Sequence, residues 1–139
     1  MSVLKKNRGI SEMEFLNSAH ELELFTVQRA SHDIPKAYTF TLKMPLCESA
    51  RAINKYLIYA NSIYPQSMED FDQRRQYQRA AVCEIQNMLA ILRLTSELLP
   101  IKEAALEHWT GLLLTIERLT KRWAKSDRER AYRLYPDIN

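Results

Sequence analysis

Apolar residues recur at intervals of three and four along most of this chain, the spacing that gathers them on one face of an α-helix. In the first such segment Phe15, Ala19 and Leu22 form the line, and Leu16, Leu24, Phe25 and Val27 widen it. Ser11 and Glu14 make a capping box that starts a helix there. "SHDIP" ends it, because Pro35 drives Ile34 out of the helical region and suits the first turn of a new helix. The pattern predicts a first helix over 11–31 and a second over 36–64. In the second, Leu46, Ala50, Ile53, Leu57, Ala60 and Tyr64 draw a single seam. Pro45 lies inside it, so either the helix kinks there or "AYTFTLKM" is a separate first part. Tyr64-Pro65 closes the segment, and "PQSMEDFD" reads as a connecting loop.

A third helix is expected over 70–99, with Val82, Ile85, Leu89, Leu92 and Leu99 on one line and Pro100 as its break. The fourth, over 101–126, carries Ala105, Trp109, Leu112, Ile116, Leu119 and Trp123. Short links force neighbouring helices to alternate in direction, so the expectation is an all-α, antiparallel, up-down-up-down four-helix bundle. A flexible N-terminus (1–10) and a basic C-terminal tail (127–139) flank it.

Composition agrees with this reading. Gly9 and Gly111 are the only glycines, too few for the turns of a β-protein, and 139 residues suffice for one core. The longest uncharged stretch, 56–68, is polar in its second half and contains Pro65, so it cannot span a bilayer. No apolar run follows "MSVLKKNRG" as a secretory signal would require, and a cytoplasmic location is expected. Cys47 and Cys83 show no pairing or metal spacing. They read as reduced thiols buried in helices, with a redox or oligomer-linking role as the other reading.

Chemistry-bearing patterns are sparse. His20, His32 and His108 form no ligand pair, and no Glu-x-x-His occurs, so the inward ligand set of di-iron bundles is missing. No phosphate-cradling glycine loop or nucleophile elbow is present either. Neither an enzyme, a cofactor nor a metal is expected. Arg93 falls near the apolar line of the third helix. It reads either as a snorkelling side chain that meets Glu97 one turn on or as half of a pair across a subunit interface. Leu106, Leu113 and Leu114 on the fourth helix, and Tyr56, Ile58, Tyr59 and Ile63 on the second, exceed what one core-facing stripe needs. That surplus predicts a homo-oligomer.

Charge singles out one stretch. "ERLTKRWAKSDRERAYR", residues 117–133, holds seven Lys/Arg against three Asp/Glu, a local +4 in a chain of net +3. With a rotation of about 100° per residue, Arg118, Lys121, Arg122 and Lys125 point away from the line through Ile116. Arg128, Arg130 and Arg133 extend the charge. The helix macrodipole accounts for cations in the last turn only. Arg74, Arg75 and Arg79, at the start of the third helix, are expected beside this end in a bundle. These ten residues form the candidate nucleic-acid-binding set, and a merely solvated charged face is the competing reading.

Four segments also resemble a known family. "IPKAYTFTL" (34–42) is similar to the Pro-Lys/Arg…Phe-Thr-Leu segment of the accessory variability determinant (Avd) family of diversity-generating retroelements. "YLIYAN" (56–61) resembles that family's Leu/Ile-rich helix ending in Ala-Asn, and "MLAILRLTSELLPI" (88–101) its Leu-Arg-Leu…Leu-x-x-Ile segment. "LLLTIERLTKRWAK" (112–125) follows its Ile-Gly-Arg-hydrophobic-Leu-Gly-Gly/Ser-Trp-hydrophobic-Lys/Arg pattern at Ile116, Arg118, Leu119, Trp123 and Lys125. Glu117 stands where many members have Gly, and Lys121-Arg122 replaces the small pair before the Trp. The family sits with the four-helix proteins encoded in intervening sequences of bacterial 23S rRNA genes. The resemblance implies a ring of bundles, typically a homopentamer, with a basic exterior. It also implies a non-catalytic role beside a retroelement reverse transcriptase and its template-repeat RNA, supporting mutagenic cDNA synthesis. Arg118 and Lys125 are the basic residues that it supports by position. The alternative is an rRNA-intervening-sequence-type oligomer that acts as a protein-interaction scaffold.

Overall fold

The computed structural model describes residues 3–136 of the chain, with side chains from Glu14 onward. Four long helices account for nearly all of it: α1 (Val3–Asp33), α2 (Met44–Ser62), α3 (Met68–Leu98) and α4 (Glu103–Leu134). No strand occurs among the described residues. Helix α2 packs on α1 and α3, and α4 packs on α3 and α1, an arrangement consistent with a four-helix bundle. No helix among these residues is long and apolar enough to cross a membrane.

Helix boundaries depart from the expected ones in instructive ways. Helix α1 begins at Val3, eight residues before the expected capping box, so the backbone at Ser11 lies inside the helix and not at its start. The first two residues of the expected flexible N-terminus, and 137–139 of the expected tail, lie outside the described residues. Of the two readings of Pro45, the separate first part is found. Lys36–Tyr38 forms a 3₁₀ turn, Thr39–Lys43 a π turn, and α2 then starts with Pro45 in its first turn. An α-helix continued through Pro45 would drive its ring into the Thr41 carbonyl and lose a backbone hydrogen bond; the wider turn before it avoids both.

"PQSMEDFD" is helical from Met68 rather than a loop. Ser67 caps α3 by accepting from the Asp70 N–H at 3.1 Å, and Asp70 in turn accepts from the Gln66 N–H at 2.9 Å. At the far end α4 does not stop near 126 but continues to Leu134. Asp127 and Ala131 are buried there, and the Tyr135 hydroxyl donates to the Gln66 carbonyl at 3.0 Å.

The core lines also shift by one residue in places. On α4 they are Ala105, Trp109, Leu113, Ile116 and Thr120, with Leu112 and Leu119 half-buried at the edge. On α3 they are Phe71, Arg74, Gln78, Ala81, Ile85, Met88, Leu92 and Thr95. Trp109 is fully enclosed, and its indole N–H donates to Thr26 Oγ1 at 2.8 Å. Phe25 meets the same indole edge-on at 5.4 Å, which fixes α1 to α4. Between α1 and α2, Glu23 accepts from Arg51 Nε and Asn54 Nδ2, each at 3.0 Å. The Asn54 bond, against the opposing effect of burial and together with the Arg51 guanidinium, holds the Glu23 carboxyl below its ordinary value.

Three measurements test this packing. Thr26→Val leaves the Trp109 N–H buried without a partner and is expected to cost about 1–3 kcal/mol in urea unfolding, while Thr26→Ser costs less. Gly111 lies mid-helix on α4 with nothing within 4 Å of where a Cβ would sit. Gly111→Ala is therefore expected to raise stability by about 0.5–1 kcal/mol. A depressed folded-state pKa contributes stability that is present above the ordinary carboxyl value, 4.5, and is lost as pH falls through the lower folded value. Glu23→Gln should flatten that acid limb of the stability–pH curve.

Candidate nucleic-acid interface

The ten basic candidates do not share one fate. Arg74 lies on the inner line of α3, in step with Phe71, Gln78 and Ala81, and only 5 % of it is exposed. Its guanidinium donates through Nε to Asp127 Oδ2 at 2.7 Å, through Nη2 to Asp127 Oδ1, and through Nη1 to the Ile63 carbonyl at 3.1 Å. Gln78 Nε2 adds a bond to Asp127 Oδ2 at 3.0 Å. The guanidinium carbon sits 4.8 Å above the Trp123 ring, and Phe15 of α1 stacks on that ring at 4.6 Å. Arg74 is thus internal and already neutralised, which removes it from any outer basic surface.

Asp127, counted by sequence with the acidic members of the basic stretch, is likewise internal, 7 % exposed. A bidentate guanidinium–carboxylate pair is the geometry that makes burial of both charges tolerable. The basic segment thus turns one carboxylate inward, while all its cations but the half-buried Arg130 are exposed.

Five of the remaining candidates converge. Arg75 and Arg79 of α3 and Lys121, Lys125 and Arg128 of α4 line one groove between these helices, of about 390 Å³. Val82, Cys83 and Ala124 contribute its apolar lining, and Gln78 and Thr120 lie at its base. A smaller hollow of about 180 Å³ continues from it past Phe71, Ala131 and Tyr132, sharing Arg75 and Arg128. Lys121 lies 3.8 Å from Glu117, which also accepts from Gln86 Nε2. The other rim cations have no ion-pair partner among the described residues. Two polar atoms at the base, Gln78 Oε1 and Thr120 Oγ1, are buried without a hydrogen-bond partner.

Arg118, Arg122 and Arg133 are exposed on α4 but do not line the groove. Arg130 is half-buried, with its guanidinium 5.5 Å above the Phe71 ring. The two positions supported by resemblance therefore separate, Lys125 on the groove and Arg118 away from it. Sequence reasoning missed Gln78, Thr120 and Cys83. Only the three-four spacing of Arg74 and Gln78 with Phe71 and Ala81 could have flagged a polar inner line.

Other candidates resolve simply. Cys83 is exposed rather than buried, because position 83 on α3 faces outward beside the half-buried Val82. Cys47 is half-buried, and burial pushes its thiol up. The Arg93 side chain is 83 % exposed rather than packed along its stem, and its head meets Glu97 Oε1 at 3.1 Å one turn on. His20, His32 and His108 are exposed. Among the described residues no three His, Cys, Asp or Glu side chains gather closely enough to hold a metal ion.

Breaking the internal pair provides the test of this account. Asp127→Leu strands a buried guanidinium and is expected to cost about 3–5 kcal/mol, whereas combining it with Arg74→Met should recover most of that loss. Urea unfolding of the two single variants and the double variant measures the coupling. Compared with known families, curated proteins and solved structures, the chain finds no match.

Proposed function

We propose that this chain is a non-catalytic accessory protein that binds the reverse transcriptase and template RNA of a diversity-generating retroelement and supports mutagenic cDNA synthesis. The observation that carries the reading is the meeting of five cations from two helices on one groove, joined to the resemblance in "LLLTIERLTKRWAK". Cations held side by side repel one another, and displacement of condensed counterions from a polyanion is the favourable use of such a surface. Arg118 and Arg122 add charge beyond the groove and would reach phosphates further along a strand.

The same reading takes the bundle as up-down-up-down. Ser49 meets Glu84 and Tyr59 meets Tyr77, Phe15 meets Trp123 and Phe25 meets Trp109, and Arg74 meets Asp127 while Gln86 meets Glu117. In each of these three helix pairs one number rises as the other falls, which supports antiparallel neighbours. A cytoplasmic homopentameric ring would repeat the groove around its exterior. Exposed Ile58, Tyr59, Leu94, Leu98 and Leu114 favour self-association. They equally favour the second reading, an oligomeric protein-interaction scaffold of the rRNA-intervening type. A neighbouring reverse-transcriptase gene with two imperfect repeats would separate the two.

Filter binding against RNA over a range of salt supplies the direct test. Affinity should fall steeply and linearly on a log–log plot. Arg79→Glu with Lys125→Glu and Arg128→Glu should abolish most binding and flatten the slope, and Arg118→Glu with Arg122→Glu should weaken it less. Salt-independent binding, or full binding by the groove triple variant, overturns the nucleic-acid reading. Copurification with a reverse transcriptase tests the partner.

A further inference from the structure

We infer that the α3–α4 groove takes an unpaired nucleobase, with the flanking phosphates of a single strand on its cationic rim. This rests on the nucleic-acid reading above and specifies the form of strand that the groove fits.

A double helix carries its phosphates outside and its bases stacked within, so it could use the rim but not what lies between. Here the cations share an open groove with an apolar lining of Val82, Cys83 and Ala124. The volume, about 390 Å³, lies at the lower end of the range of about 300–1,000 Å³ typical of small-molecule sites. A base fits such a space, and a duplex does not. From Lys121 to Arg128 the helix rises only about 10 Å, so the rim cations on α4 serve one short run of backbone.

Hydrogen-bonding capacity at the base of the groove points the same way. Gln78 spends its Nε2 on Asp127, which orients its amide and leaves Oε1 as an acceptor without a partner. A phosphate oxygen accepts only and cannot satisfy Oε1, whereas the N–H edge of a base can. Thr120 Oγ1, also without a partner, can donate or accept. Both atoms are closed to solvent as the groove stands, and reaching them requires the lining side chains to shift. Charge at the mouth and a buried unmet acceptor below thus match a ligand that is anionic on one side and carries N–H groups on the other. A nucleotide within an unpaired strand has that chemistry, and RNA and single-stranded DNA share it.

Fluorescence anisotropy of the full chain tests this with one short labelled sequence as single-stranded RNA, as single-stranded DNA, and as the duplex. Either single strand is expected to bind about tenfold more tightly than the duplex at matched salt. The ratio of the RNA and DNA arms assigns the source. Cys83→Phe and Ala124→Phe fill the groove without touching its charges. Each should erase the single-strand preference and leave the salt slope in place, with unfolding curves confirming that each variant folds; Cys83, being exposed, carries little risk there. Iodoacetamide labelling of Cys83 should slow when the single strand is bound, with Cys47 unchanged as an internal reference. Equal affinity for duplex and single strand, or full preference in both filled variants, overturns the base-in-groove inference while the nucleic-acid reading stands. Absence of binding to every probe at low salt overturns both.

Discussion

A guanidinium and a carboxylate placed inside the bundle set the terms for its charged end. Neither Arg74 nor Asp127 can be tolerated there alone, because an uncompensated interior charge costs several kcal/mol. Their pairing draws α3 and α4 together, and the Ile63 carbonyl brings in the end of α2. Trp123, between Arg74 and Phe15, brings in α1. All four helices are thereby referenced to one ion pair. The last two turns of α4 depend on it most, since Asp127 and Ala131 are the buried residues that hold them down. That in turn sets where Lys125 and Arg128 stand relative to Arg75 and Arg79, and so the width of the groove between the helices.

The opposite end is organised by different physics. There Trp109 lies among apolar side chains, with Thr26 satisfying its one polar atom. The candidate interface belongs to the end organised by the ion pair. An aliphatic core alone would leave the relative rotation of α3 and α4 loosely specified. A bidentate pair with a Gln in attendance permits few alternatives.

Helix number, the Pro35 and Pro100 breaks and most core positions on α1 and α2 were legible in the sequence, because three-four spacing and proline act locally. Adjacent apolar residues were harder to separate. Leu112, Leu113 and Leu114 follow one another, and which of them faces inward depends on the rotation of α4 against its neighbours; packing selects Leu113. The cap at Ser67 carried a local signal, Ser-x-x-Asp, hidden within a segment read as loop because of Pro65. The site was only half legible. Outward rotation identified Lys121 and Lys125, and the expected proximity of the two helix ends identified Arg75 and Arg79. Arg74 misled because an arginine beside two other cations reads as surface, and its partner lies fifty-three positions away. The inward carboxylate that keeps residues 127–134 helical was invisible for the same reason.

The partnership between positions 74 and 127 also constrains how this sequence can drift. Losing either charge alone leaves a poorly folded chain, whereas exchanging both for apolar residues does not. Among diverged copies of this chain the two sites are therefore expected to co-vary, with Gln78 following them. The exposed rim cations Arg79, Lys125 and Arg128 are free to move one position at a time provided the sum of their charge is kept.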